Sequence, residues 1–401
     1  MPSMKINALE YSLEAVLKRY QDYLWTDYLP FIARYIYDAK HGGFFWHTSY
    51  AGEQLSSTKR TWYDARGAWV YAYLYRNLKA DPTFLKQAKQ TIDLLLRVKD
   101  PAERYWPWSY AADGSKINER EGDIYGNLFV AEALLGYAEA SGEPAYYEQA
   151  KAILMDAYGR FQQKEYTYRL EYSPDANFSE AQEVLGHYMI LLHLCTGMLK
   201  FKEDPEIAQL ADVCVEALTV QHYNADLNLM PELGTKEGTA LPPHLTQFVY
   251  LGHAIESLWM LMDEASRRKD ENLFALAAER FKFHVELAWD DLYGGFFHCL
   301  DHADENRYLT DKVLWAQEEV LWGCMLLIEA KDDAWAKAWF QKTLAYVEQH
   351  FIREDLAYKP WKNNGKRKMD TKEAGQRIEN YHHPRQLLFI IQSIERILNV
   401  N

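Results

Sequence analysis

Tyr293-Gly294-Gly295-Phe296-Phe297-His298 repeats Gly42-Gly43-Phe44-Phe45-Trp46-His47, and each copy follows a long amphipathic stretch. The glycine pair reads as a turn, and the alternating aromatics after it read as a short strand. One helix–turn–strand–helix unit is therefore used more than once along the chain. Around it, helical periodicity dominates. Apolar residues recur at three and four over residues 6–37, 58–77, 82–99, 124–141, 144–163, 180–200, 205–221, 244–267, 270–289, 311–330, 333–352 and 380–398. Asp81-Pro82 and Asp204-Pro205 open two of these helices, with proline in the first turn where its missing N–H is harmless.

About twelve helices, paired and joined by alternately short and long loops, predict antiparallel helical hairpins in an array. A linear solenoid would carry a tighter sequence repeat and a polar cap. The long loops fall on one alternating set of connections. The expected fold is therefore all-α, an (α/α)6 barrel: six helical hairpins closed into a ring, with short β-hairpins in long loops such as 105–114. No Gly-, Ser- or Pro-rich linker interrupts residues 1–401, which predicts a single catalytic barrel domain.

An apolar fraction of 48% over 401 residues supplies a large core. The 29 tyrosines and 13 tryptophans can pack it, and can also stack on sugar rings while keeping an O–H or N–H to donate. A net charge of −14 with no basic block to offset it excludes nucleic acid and anionic membranes as partners. No uncharged apolar window is long enough to span a bilayer, and the start lacks an apolar leader. Cys195, Cys214, Cys299 and Cys324 lie in apolar helical patterns without a CxxC pair. They read as reduced core residues of a cytoplasmic protein, not as a zinc site.

Polar groups concentrate among aromatics on one alternating set of helices. Tyr381-His382-His383-Pro384-Arg385 opens the last helix, which puts His382 and Arg385 at its mouth, three residues apart. A polar first turn of no consequence is the plain alternative. His253, Glu256 and Trp259 share a face in Gly252-His253-Ala254-Ile255-Glu256-Ser257-Leu258-Trp259, and Trp315 and Glu319 share one in 312–319. Arg66 and Trp69 also share a face, which a salt bridge plus a core tryptophan explains equally well. Asp123-Ile124-Tyr125-Gly126-Asn127 and Gly186-His187-Tyr188 complete the set, and His193, in an apolar run, reads as a core histidine. The sequence has no P-loop, GxGxxG or nucleophile elbow. A single metal on His253, His382 and Glu319 is a minor alternative. Two imidazoles in one pocket suit proton abstraction and return near neutral pH. Arg66 or Arg385 would stabilise an enediolate oxygen.

Five motifs in order carry a resemblance along nearly the whole chain: Trp62–Tyr75 (WYDARGAWVYAYLY), Ile124–Leu134 (IYGNLFVAEAL), Gly252–Trp259 (GHAIESLW), Lys312–Glu319 (KVLWAQEE) and His382–Arg385 (HHPR). The chain resembles the N-acylglucosamine 2-epimerase superfamily, which includes cellobiose and mannose 2-epimerases and aldose–ketose isomerases. The resemblance implies an (α/α)6 barrel, a sugar substrate, no metal, no cofactor, and a monomer or homodimer. It places the acid/base pair on His253 and His382. Substrate contacts fall on Arg66, Tyr125, Glu256, Trp259, Trp315, Glu319 and Arg385, with Asn127 and Tyr188 added from the same helices. His383 takes a variable position without a role. Cellobiose epimerases carry a histidine where this chain has Tyr188 and a sugar-stacking tryptophan where it has Arg377, so a disaccharide is disfavoured. The expected activity is C2 epimerisation of glucose/mannose or N-acetylglucosamine/N-acetylmannosamine. Mannose–fructose isomerase, cellobiose 2-epimerase, a glycoside hydrolase using Glu256 and Glu319, and a non-catalytic sugar- or protein-binding module are the alternatives.

Overall fold

Four of the outer helices of this protein begin on aspartate caps. Asp81, Asp204, Asp270 and Asp333 each accept a hydrogen bond from a backbone N–H of the first turn that follows. Just before two of these caps, the preceding helix ends on a left-handed residue, Lys269 and Asp332, and Gly142 does the same ahead of Glu143-Pro144. A left-handed C-terminal residue followed at once by an N-terminal cap reverses the chain in the fewest residues. That chemistry makes one set of connections short and therefore makes helical hairpins.

A computed structural model of the chain describes residues 12–170, 172, 180–234, 241–367 and 377–399. Its twelve helices are α1 (residues 13–36), α2 (Thr61–Asn77), α3 (Pro82–Val98), α4 (Ile124–Ser141), α5 (Pro144–Phe161), α6 (Leu185–Phe201), α7 (residues 205–221), α8 (Leu251–Arg268), α9 (Glu271–Ala288), α10 (Leu314–Lys331), α11 (Ala334–Phe351) and α12 (His382–Leu398). In α1, wide π turns at Tyr23–Tyr28 and Ile32–Ile36 flank Pro30, which has no N–H to give the helix. Helices α2, α4, α6, α8, α10 and α12 pack in sequence and close into a ring, with α12 returning against α2. Helices α3, α5, α7, α9 and α11 each back the inner helix they follow, and α1 packs on α12. The fold is the expected (α/α)6 barrel.

Every long connection precedes an inner helix, so all six long loops lie at the end where the inner helices start. Two- to four-residue strands join these loops. Lys59–Arg60 pairs with Ser109–Tyr110, Glu183–Val184 with Leu233–Gly234, and Lys312–Val313 with Asn364–Gly365. Helices α6 and α8 start at 185 and 251, later than their apolar periodicity predicts. Strand Glu183–Val184 and a 3-10 turn at Pro243–Gln247 take the residues in front. The predicted start of the first helix before residue 12 lies outside the described residues.

The Gly-Gly-Phe repeat is a repeated structure. Asp38 N–H donates to Gly43 O and Asp290 N–H to Gly295 O, both at 2.9 Å. All four glycines have φ between +74° and +81°, where a side chain is strained. A buried lysine pins each turn: Lys59 Nζ to Asp38 Oδ2 (2.8 Å) and Lys312 Nζ to Asp290 Oδ2 (2.9 Å), with the carbonyls of Gly42 and Gly294 as second acceptors. The next helix closes both turns. Phe44 N–H donates to Asp64 Oδ1 (2.6 Å) and Phe296 N–H to Gln317 Oε1 (2.8 Å).

Candidate active site

Because the six inner helices start at one end, their first turns converge there, and the side chains of those turns wall a cavity of about 270 Å³. Trp62 and Arg66 come from α2, Tyr125 from α4, His253 and Glu256 from α8, Trp315 from α10 and His382 from α12. Trp315 sits beside both imidazoles, its ring 5.3 Å from that of His382 and 5.8 Å from that of His253. Gly252 makes this possible, since a Cβ there would fall 2.3 Å from the Trp315 ring. A Cβ on Gly186 would likewise crowd the Tyr125 hydroxyl (2.6 Å) and His253 Nδ1 (3.0 Å).

Each imidazole is oriented by a buried carboxylate. Nδ1 of His253 donates to Glu232, 3.0 and 3.2 Å from its two oxygens, and Tyr172 Oη donates to the same carboxylate (2.9 Å). Nδ1 of His382 donates to Glu319 Oε1 (2.8 Å), whose other oxygen accepts from Trp259 Nε1 (2.6 Å). In both rings Nε2 is left for the cavity. Burial holds His382 far down, at about 3, with the Arg385 and Arg66 charges adding to the effect and Glu256 and Glu379 opposing it. His382 is therefore a neutral imidazole with its lone pair available.

Arg385 lies under the cavity floor. Its Nη2 donates to Glu256 Oε1 (2.8 Å) and Glu319 Oε1 (2.7 Å) and lies 3.2 Å from His382 Nδ1. Burial works against its charge, but Glu319, Tyr381 and Glu256 outweigh it and hold the guanidinium protonated. The metal alternative is corrected here. His253 is tied to Glu232, not grouped with Glu319. The described residues close enough to share an ion are Glu256, Glu319 and His382, and the Arg385 nitrogen already occupies the space between them. Glu256 and Glu319, the pair of the hydrolase alternative, are bridged by Arg385 Nη2, and of the two only Glu256 lines the cavity.

Other expected contacts fall elsewhere. Asn127 faces the loop in front of α4, accepting from Trp106 N–H (3.0 Å) and donating to Arg104 O. Tyr188 turns away from the cavity, donates to Glu183 (2.9 Å) and packs on Phe161. Trp259, Glu319 and Arg385 lie a layer below the cavity lining. His193 is paired with Glu132 (3.1 Å) and, with Trp69 and Trp259, lines a second cavity at the opposite end of the barrel. Arg66 and Trp69 thus serve different ends. Arg66 has no ion pair among the described residues, and its guanidinium lies 3.9 Å from the Phe129 ring. Sequence reasoning missed Glu232, Tyr172, Tyr250 and Glu379. Glu379 Oε1 accepts the backbone N–H groups of Tyr381 (3.1 Å) and His382 (3.2 Å) and so caps α12.

The sequence profile of the N-acylglucosamine 2-epimerase (GlcNAc 2-epimerase) family matches residues 42–384. The N-acylglucosamine 2-epimerase of Homo sapiens is 26% identical over 303 residues, 73% of this chain and 68% of the human one. Among solved structures, cellobiose 2-epimerase from Spirochaeta thermophila DSM 6192 superposes with a TM-score of 0.81 at 17% identity, covering 98% of this chain and 100% of its own. A D-mannose isomerase superposes at 0.76 and 15% identity, covering 96% and 97%. Barrel and family match together define an isomerase-class enzyme of the sugar 2-epimerase/isomerase kind. The chain belongs to the N-acylglucosamine 2-epimerase family.

Proposed function

We propose that the protein moves the C2 proton of a free aldose through a cis-enediolate, with His253 and His382 as the acid/base pair, and that it interconverts C2 epimers. The observation that carries this reading is that two carboxylate-oriented imidazoles both lie beside one indole in a single cup. A cavity of about 270 Å³ is at or below the small end of ligand pockets, roughly 300–1,000 Å³. That suits one sugar ring better than two.

The open-chain aldose presents C2–H next to the C1 aldehyde. A neutral imidazole, His382 in one direction, takes the proton through Nε2. The C–H electron pair becomes the C1=C2 bond, and the carbonyl pair moves onto O1. Arg66, half-buried and in no ion pair among the described residues, is the cation available to that oxyanion, where a preorganised charge is worth most. Rotation about C2–C3 turns the other face of the enediolate toward His253. Its imidazolium returns a proton to C2, and the carbonyl re-forms. The two histidines have then exchanged protonation states, which solvent resets. Glu232 and Glu319 keep each ring in the tautomer that points Nε2 inward. Return of the proton to C1 instead would give a ketose from the same residues.

NMR of glucose, mannose, N-acetylglucosamine and N-acetylmannosamine in D2O tests this directly. Deuterium is expected at C2 of one epimeric pair, whereas deuterium at C1 of a ketose would mark the isomerase outcome. His253→Ala and His382→Ala should each slow exchange by about 10²–10⁴-fold while far-UV circular dichroism stays that of the parent. Exchange surviving in both variants sinks the two-histidine mechanism.

A further inference from the structure

The cavity at the far end of the barrel measures about 350 Å³, against about 270 Å³ for the cup. All six inner helices wall it, from their middles to their C-terminal ends. Aromatic rings meet in that wall. The Phe389 ring lies 4.9 Å from Trp322, 5.4 Å from Tyr73 and 6.1 Å from Trp69. Such rings can cover the apolar C–H face of a sugar and leave its hydroxyls to polar neighbours.

Each lysine and arginine of this wall is already paired. Arg76 binds Glu139, Lys200 Nζ binds both oxygens of Asp263 (2.6 and 2.7 Å), and Arg396 binds Glu329 (2.6 Å). The C-termini of six helices add partial negative charge at this end. An anion therefore finds no cation to itself here, whereas hydroxyl groups find acceptors. With Nε2 of His193 donating to Glu132, its Nδ1 keeps a lone pair and has no hydrogen bond among the described residues. Oε1 of Glu139 has none either. Trp322 Nε1, a donor, is buried without a partner. Unused acceptors and a donor among ring faces, with the charges already neutralised, match the chemistry of an uncharged polyhydroxylated ring.

Two hydrogen-bonded chains join this cavity to the cup. Trp259, in its wall, donates through Nε1 to Glu319 Oε2 (2.6 Å), and Glu319 Oε1 accepts from His382 Nδ1 (2.8 Å). Glu132 Oε1 accepts from His193 Nε2 (3.1 Å) and from Tyr381 Oη (2.6 Å). Arg385 Nη1 donates to that same hydroxyl (3.2 Å), while its Nη2 holds Glu319 (2.7 Å). Both chains end on the carboxylate that orients His382. We propose that the far cavity is a second binding site, for one uncharged sugar ring, and that its occupant alters turnover in the cup through Trp259 and Glu132. The binding stands by itself, and the effect on turnover rests on the sugar-isomerising reading above.

Methyl α-mannoside is the probe, because its C1 is locked as an acetal and it cannot open for C2 exchange. Equilibrium dialysis compares the parent with Leu326→Trp, which puts an indole into the far cavity from α10. Gln392→Trp, on α12, closes the same cavity and replaces it if the first variant loses the parental circular dichroism. The parent should bind one more equivalent per chain than the filled variant. In the deuterium-exchange assay on the best aldose, the probe should change the parental kcat by about five-fold or more. In the filled variant it should act on KM alone. Equal stoichiometry in parent and filled variant marks the far cavity as water-filled, overturns this inference and leaves the epimerase reading standing. An extra equivalent that leaves the parental kcat unmoved overturns the coupling. Absence of exchange on every aldose overturns the epimerase reading and the coupling with it, while the extra equivalent still decides the site.

Discussion

Glu232 comes from the loop between α7 and α8, yet it holds the ring of His253 from 3.0 Å with its own side chain fully buried. No helical period marks it. Its only sequence signal is an acid in an otherwise apolar Leu229-Met230-Pro231 setting, and its role exists only once the loop packs on α8. Glu232→Gln keeps the shape and removes the charge that stabilises the imidazolium and selects its tautomer. The expected result is a kcat at least about ten-fold lower with KM little changed, since ground-state contacts to the sugar survive. A variant with parental kcat would show that His253 needs no carboxylate. The other residues follow helical angle. Tyr125 and His253 were legible because they sit in first turns at the right azimuth. Asn127 is two residues past Tyr125, about 200° round the helix, and so faces the loop instead. Trp259 is six residues past His253, nearly two turns deeper, where it reaches Glu319 and the opposite cavity.

Helices were readable from the chain where their ends are set by local chemistry, as at α4, whose Asp123 cap and left-handed Gly142 bracket the span that periodicity gave. They were misjudged where tertiary pairing sets the start, as at α6. The two-residue strands between loops had no period to read. Their partners lie tens of residues away, and only the ring brings them together. The Gly-Gly-Phe repeat was visible, but its lock was not. Asp64 and Gln317 occupy equivalent places, and burial pushes the Asp64 carboxyl up to about 7, against the pull of Lys59 and two hydrogen bonds. Its folded state therefore keeps a proton that the unfolded chain releases near 3.8. Stability from this group is present at low pH and lost as pH rises toward 7. Across that window, Asp64→Asn, which copies the neutral amide of Gln317, should gain on the parent by up to about 1.4 kcal/mol per pH unit. Urea midpoints at pH 5 and pH 8 measure it, and a constant difference refutes the assignment. Helix packing carries a second test. Gly252→Ala drives a Cβ into the Trp315 ring, which should shift that indole from its place beside the imidazoles. The expected loss is about ten-fold or more in kcat/KM for roughly 1–3 kcal/mol of stability. Full activity would mean that the indole is not needed there.

At the scale of the molecule, the ring puts every inner-helix N-terminus at one end, and the α10–α12 contact bears two adjacent His–Glu pairs with opposite fates. His382 pairs with Glu319 toward the cup, and His383 pairs with Glu318 (2.5 Å) toward α1, under Trp361. Burial lowers both imidazoles from 6.5 to about 3, and burial with the Glu379 and Glu319 charges raises Glu318 well above its usual value. The His383–Glu318 pair thus holds a single proton in the fold. Between about pH 4.5 and 6.5 the unfolded pair also holds one, on the histidine, so the two states balance and the pair contributes no slope. Above that window the unfolded chain has released its proton and the fold has not, so this pair costs stability as pH rises. His382 behaves differently. The unfolded chain protonates it below 6.5 and the fold resists until about 3, so stability falls as pH drops through that range by up to about 1.4 kcal/mol per unit. Unfolding midpoints in urea from pH 4 to pH 9 separate the two. His382→Asn should flatten the acid limb and leave the alkaline limb alone. Glu318→Gln should flatten the alkaline limb and steepen the slope between pH 5 and 6, because His383 then binds a proton only in the unfolded chain. Profiles of both variants running parallel to the parent would show that neither pair is caged by the ring, and that the closed barrel does not hold its histidines neutral.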